Sequence, residues 1–144
     1  MTDKKYTPTT HEDFVSEIRA AGAVVAYVAG PYRAETHAEV HANIQRARRV
    51  AEQLWAKGYA VICPHLNSAF MSGPIDEKNF LDGYLELVRR SDIVVVSCKP
   101  GEASSGTEAE VTEAATMNLP VFFAASEDIP SADEMMRRVW EKRQ

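Results

Sequence analysis

Two carboxylates two positions apart, Glu108 and Glu110, follow the small polar stretch Ser104-Ser105-Gly106-Thr107, the part of this chain with the most chemical potential. The stretch comes directly after a continuous apolar run, Ile93-Val94-Val95-Val96, and leads into residues with apolar groups at helical spacing. That places the acids where open α/β sheets bind ligands, beyond the carboxyl ends of the strands. On the first turn of a helix the backbone dipole and free N–H groups favour an ionised carboxylate, so Glu110 is a candidate nucleophile for a sugar carbon or a candidate base. Glu108 competes for that role, and both acids also suit simple complementation of a helix N-terminus. Ser105, Gly106 and Thr107 are the candidate ligand-binding residues here, Gly106 either as a turn former or as a place where backbone N–H groups approach a ligand.

A second loop of this kind follows the apolar run Val24-Val25-Ala26-Tyr27-Val28, entering Ala29-Gly30-Pro31-Tyr32-Arg33. It has neither the G-x-G-x-x-G nor the G-x-x-x-x-G-K-[ST] pattern, which argues against a dinucleotide fingerprint and against ATP hydrolysis. Arg33, ahead of a long helix, is suited to bidentate binding of a phosphate or carboxylate, and equally to life as a solvated cation. Tyr27 is either a core aromatic or a phenol aimed at a pocket, and Gly30 and Pro31 would line that pocket. His65 and Asn67 follow the run Ala60-Val61-Ile62-Cys63 and fall on the same rim, where a lone His more often makes a structural hydrogen bond than acts as a catalyst. His37 and His41 have the i, i+4 spacing of a shared metal site, but no H-E-x-x-H pattern supports one. No metal and no cofactor are expected. Asp92, just before the Ile93 run, reads as a turn or capping residue at the opposite edge.

The elements that must position these groups alternate. Thr10 can cap a helix from His11 to about Ala21, with Phe14, Val15 and Ile18 on one face and Gly22 as its stop. Residues 24–28 form a strand apolar on both faces, hence a central one. Val40, Ile44, Ala47, Val50, Ala51 and Leu54 mark a helix over about 37–57, capped by Gly58. A strand over 60–63 ends at Pro64 and is followed by a loop over 65–75, long enough to suggest function. A helix over 76–90 carries Phe80, Tyr84, Leu87 and Val88; strand 93–97, a loop over 99–105 and a helix ending at Asn118 follow. Strand 121–124 and a final helix opened by Ser131, with Met135, Val139 and Trp140 as its stripe, complete the chain. The pattern predicts an α/β fold: a doubly wound, flavodoxin-like parallel sheet of four to five strands with helices on both faces and a switch point near the first strand.

Composition agrees with one domain. At 144 residues, the chain is long enough to bury roughly 70% of its unfolded surface without disulfides or metals. Residues 1–10 read as a flexible tail and 11–144 as a single domain. No apolar run approaches the ~20 residues of a membrane span, and the N-terminus lacks the apolar core of a secretory signal, so a soluble cytoplasmic protein without membrane partners is expected. A net charge of −5 argues against a nucleic-acid polymer as partner. Cys63 and Cys98 each close a strand without C-x-x-C spacing and read as small buried hydrophobes.

Three segments together, Tyr27-Val28-Ala29-Gly30-Pro31-Tyr32, Arg90-Ser91-Asp92-Ile93-Val94-Val95-Val96 and Ser105-Gly106-Thr107-Glu108-Ala109-Glu110-Val111-Thr112-Glu113-Ala114, resemble the nucleoside 2-deoxyribosyltransferase-like superfamily over about residues 24–124. The likeness is greatest to its small bacterial and phage branch, related to deoxynucleoside monophosphate N-glycosidases. It implies Glu110, with Ala114 four residues later, as the nucleophile at C1′ of a nucleoside or nucleoside 5′-monophosphate, and Tyr27 as a hydrogen-bonding partner of that carboxylate or of the sugar. It further implies Gly30 as the point of close approach and Arg33, Ser105 and Gly106 as the phosphate cradle. The chain departs from the pattern at one position: where active members carry the Asp that handles the leaving base, eight residues before the acid matching Asp92, this chain has Tyr84. Asp82 lies about 200° around the helix from Tyr84 and could substitute only if the helix start were unwound or offset. A homo-oligomer, dimer or tetramer, is also implied, with the helix bearing Trp55 or the last helix as its interface. The same residues leave open a non-catalytic nucleotide-binding or sensing module.

Overall fold

The computed structural model describes residues 24–69, 71, 73–124 and 128–143, with Thr10, Glu12, Asp13 and Ser16. Most of the expected tail and first helix therefore lies outside the described residues. Thr10 does show the expected capping geometry, its Oγ1 accepting from the Asp13 N–H at 3.1 Å.

The chain runs β1 (Val25–Ala29), α1 (His37–Ala56), β2 (Ala60–Ile62), α2 (Pro64–Asn67), α3 (Glu77–Arg89), β3 (Ile93–Val96), α4 (Ser105–Thr116), β4 (Val121–Phe123) and α5 (Ala132–Lys142). Every strand pair is parallel and the order is β2-β1-β3-β4, the flavodoxin-like arrangement, with the direction of winding reversing between β1 and β3. A crevice opens at such a switch point because the two flanking connections leave toward opposite faces.

Strand alternation divides the core. Val24, Ala26, Val28, Ile93, Val95 and Phe122 turn toward α1 and α5, where Ala47, Val50, Leu54, Met135, Met136 and Val139 bury against them. Tyr27, Ala29, Val94 and Val96 turn the other way, toward Val88 of α3 and Ala114 of α4. The stripe of α5 is thus spent inside this chain, whereas Trp55 of α1 stays 59% exposed.

Two loops contain more structure than their sequences suggest. The stretch expected as a loop over 65–75 opens with the one-turn helix α2, whose Pro64 sits in the first turn, where a missing N–H costs nothing. The loop over 99–105 holds a 3-10 turn at Pro100–Glu102. Helix ends follow their signals: Gly58 and Asn118 adopt positive φ, 90° and 56°, after α1 and α4. Asp92 stands at the amino edge of the sheet, accepting from the Val25 N–H at 2.7 Å through Oδ2 and pairing with Arg143 at 3.1 Å through Oδ1. Its role is to tie β1 to the end of α5.

Candidate active site at the β1 and α4 interface

Tyr27 is the third residue of β1, and its neighbours Ala26 and Val28 belong to the opposite face, so its ring is directed at the α3 and α4 side. It is completely buried. Helix α4 starts at Ser105, with Ser104 as its cap: Ser104 Oγ accepts from the Thr107 N–H at 3.2 Å and lies 2.8 Å from Thr107 Oγ1. Glu108 then falls on the exposed side, and Glu110, about 200° further around, turns inward.

The depths match. Tyr27 is two residues inside the carboxyl end of β1, and its phenol and the Glu110 carboxyl act on each other, which sets the acid against the middle of that strand. The acid therefore packs over the face of the sheet, below the rim, and not beyond the strand ends. It also occupies the second turn of α4 rather than the first, which corrects the expectation that the helix dipole holds it ionised. Burial decides its chemistry instead. Glu110 is partly exposed as a residue, but its Oε2 is fully buried and has no hydrogen-bond partner. Loss of hydration raises the carboxyl to about 7, opposed in part by hydrogen bonding from Tyr27.

The Tyr27 hydroxyl is likewise fully buried without a well-aligned partner. Burial, then the charge and hydrogen bonding of Glu110, then the neighbouring Tyr84 and Cys63, drive its pKa far up, so it stays a neutral phenol. The two groups interact without reaching full hydrogen-bond alignment with each other. A carboxyl that titrates near neutrality beside a permanent donor is suited to nucleophilic or acid–base work at pH 7.

Tyr84 and Cys63 complete the polar wall. Tyr84 lies one helical turn before the buried Val88, and its hydroxyl donates to Ser68 Oγ at 2.5 Å, with Pro64 O at 3.4 Å. The position where the resemblance implies an Asp thus does face Tyr27, with a phenol in it. The Cys63 thiol is pushed up to about 11 by burial, which keeps it protonated and inert, as expected for a small buried hydrophobe.

The remaining candidates distribute differently. Helix α3 is regular from its Asp76 cap, so Asp82 is not re-aimed; it is exposed and pairs with Lys78 at 3.2 Å, away from Glu110. Arg33 is exposed and ion-paired to Glu77 at the start of α3. Gly30 is required for a steric reason, since a Cβ there would lie 2.0 Å from Ser97 Oγ at the end of β3. His65 is buried, its Nε2 bonded to Pro31 O at 3.0 Å and its Nδ1 without a partner. Burial lowers its pKa, so the neutral ring donates through Nε2 and braces the Gly30-Pro31 loop, with Tyr32 edge-on against it.

Asn67 is exposed and faces an open cleft of about 610 Å³ along the outer edge of β2, shared with Trp55, Val61 and Leu66, a lining that does not include Tyr27 or Glu110. Ser105 is exposed, Gly106 half-buried, and Thr107 is buried within the cap of α4. His37 and His41 stand exposed on α1. Among the described residues no cluster of three or more His, Cys, Asp or Glu could hold a metal, and no helix is long and apolar enough to cross a membrane.

Ser68, Ser97 and the facing of Tyr84 escape a reading by motif. The spacing of Tyr84 to Val88 is the one available signal.

A family model described as a domain of unknown function, DUF7768, matches residues 24–124, from the residue before β1 to the residue after β4. No curated protein and no solved structure matches the chain.

Proposed function

We propose that this chain, which belongs to the DUF7768 family, is an N-glycosidase or deoxyribosyltransferase acting on a nucleoside or nucleoside 5′-monophosphate, with Glu110 as nucleophile. The observation that carries the reading is the Glu110 carboxyl, its Oε2 buried without a partner, set against the Tyr27 phenol. Buried polar atoms left without partners are rare and concentrate where a ligand or a reaction completes them.

In this mechanism the ionised Glu110 attacks C1′ through an oxocarbenium-like transition state. The C1′–N bond breaks, its electron pair leaves with the base, and a glycosyl ester forms on Glu110. Water in hydrolysis, or the nitrogen of a second base in transfer, then attacks C1′ and frees the carboxylate; a proton ends on the departed base. Tyr27 donates to the carboxylate as the ester is expelled. Tyr84, whose hydroxyl donates to Ser68 Oγ, holds the position where the resemblance implies an Asp for the leaving base, and in this reading its phenol takes that role.

High-performance liquid chromatography of free base released from a panel of nucleosides and 5′-monophosphates tests the reading. Release by the wild type and none by Glu110→Ala is the expected result; equal release by both rules the mechanism out.

A second reading, a nucleotide-binding or sensing module without turnover, is favoured by Tyr84 in place of an acid and by the outward orientation of Asp82. It predicts calorimetric nucleotide binding with no base released after long incubation.

A further inference from the structure

Asn43 is the only polar residue among the buried positions of α1, which are otherwise Ala47, Val50, Ala51 and Leu54. A buried amide must have both ends satisfied. Its Nδ2 donates to Tyr32 O at 3.2 Å, clamping the loop after β1, and its Oδ1 accepts from Arg46 Nη2 at 2.5 Å. The same side chain therefore fixes the Gly30-to-Arg33 loop and aims a guanidinium.

Arg46 is half-buried and, among the described residues, has no carboxylate within ion-pair distance. Arg33, Arg48, Arg89, Arg90 and Arg143 each have one. One of the five guanidinium donors is used by Asn43, leaving a fork with free donors. Its bond to Asn43, which holds Tyr32 O, places it beside the loop leaving the carboxyl end of β1. The Cys98 thiol, just past the end of β3, is raised by burial and by the Glu102 carboxylate and lowered by the charge of Arg46. Glu102 is itself engaged with the Lys99 N–H at 3.4 Å.

We infer that Arg46 binds the anionic group of the ligand, a phosphate monoester, at the mouth of the β1 and β3 crevice, with Asn43 as its positioning residue. The inference rests on the nucleotide reading above and deepens it by assigning the phosphate to Arg46 of α1 in place of Arg33, which lies before that helix, exposed and tied to Glu77. A half-buried, pre-aimed guanidinium without a counterion is the stronger phosphate ligand because it is less screened and has less freedom to lose.

Isothermal titration calorimetry of deoxynucleoside 5′-monophosphates, the matching nucleosides and inorganic phosphate against wild type, Arg46→Ala, Arg46→Lys and Arg33→Ala tests it. Arg46→Ala should weaken monophosphates by about tenfold or more and leave nucleosides unchanged, Arg46→Lys should recover part of the loss, and Arg33→Ala should bind like wild type. A general loss of folding would instead weaken nucleosides and monophosphates together, and that result overturns the assignment. Wild type that binds phosphate, loses it on Arg46→Ala and shows no preference for nucleotides keeps the anion site while removing the nucleotide reading. Wild type that binds neither monophosphate nor phosphate overturns the site itself.

Discussion

The Tyr27 phenol and the Glu110 carboxyl lie side by side in the interface between β1 and α4, and neither the Tyr27 hydroxyl nor Glu110 Oε2 has a well-aligned partner. Leaving such atoms dry costs about 1–3 kcal/mol each. The protein carries that cost in its core, where burial raises the Glu110 carboxyl to about 7.

Stability should therefore respond to pH through Glu110. Its folded pKa of about 7 stands above the ordinary carboxyl value of 4.5, so between those limits the folded state binds more protons than the unfolded one. The stabilising contribution of the protonated form is complete below pH 4.5 and lost as pH rises through about 7, a swing on the order of 3 kcal/mol. Glu110→Gln should raise the thermal midpoint over wild type by several degrees at pH 8 and by little at pH 4.5. His65, depressed by burial, acts in the opposite sense: its contribution is present above its ordinary pKa and is lost as pH falls toward the lowered value. Paired melts of Glu110→Gln and wild type across this range isolate the first effect.

Tyr27→Phe separates the phenol's two roles. Stability should hold or rise, within about 1 kcal/mol, because the hydroxyl has no full hydrogen bond to lose. Hydrogen bonding from Tyr27 opposes the upward shift of Glu110, so its removal should move the acidic limb of the kcat/KM profile to higher pH. An unmoved limb would place the phenol outside the reaction.

Gly30→Ala should destabilise by about 1–3 kcal/mol in urea unfolding, since the new Cβ would collide with Ser97 Oγ. Ser97→Ala in the same chain should restore most of the loss, the next contact being Ser97 Cβ at 3.3 Å. Failure of that rescue would mean the glycine is needed for something other than room.

Asp82→Ala and Arg33→Ala should be nearly silent. Both side chains are exposed members of surface ion pairs, which contribute about 0–1 kcal/mol, and base release should stay within about twofold of wild type.

The sheet and its order were legible because β1 and β3 are apolar on both faces and the helices α1 and α4 close at Gly58 and Asn118. Local pattern could also name Tyr27 and Glu110, which stand in short motifs at element ends. It could not give depth. Glu110 reads as a first-turn acid only if the Ser104-to-Thr107 stretch is turn, whereas the Ser104 cap starts the helix at Ser105 and puts Glu110 on the second turn; the one-turn α2 is hidden in a short stretch opened by a proline. Arg46 was invisible for a different reason. Its significance comes from what it lacks among the described residues, a carboxylate within ion-pair distance, together with the Asn43 bond that holds it, and both emerge only in the folded chain. Arg33 and Asp82, conversely, have the right residue type near the right loop but face solvent.

In the proposed mechanism Glu110 bonds covalently to the anomeric carbon. Rapid acid quench during turnover of a deoxynucleoside 5′-monophosphate, followed by proteolysis and mass spectrometry, tests it most directly. The peptide containing Glu110 should carry a transient sugar phosphate mass that is absent in Glu110→Gln. Base release by the wild type with no adduct at any time point, or an adduct that persists in Glu110→Gln, would contradict it.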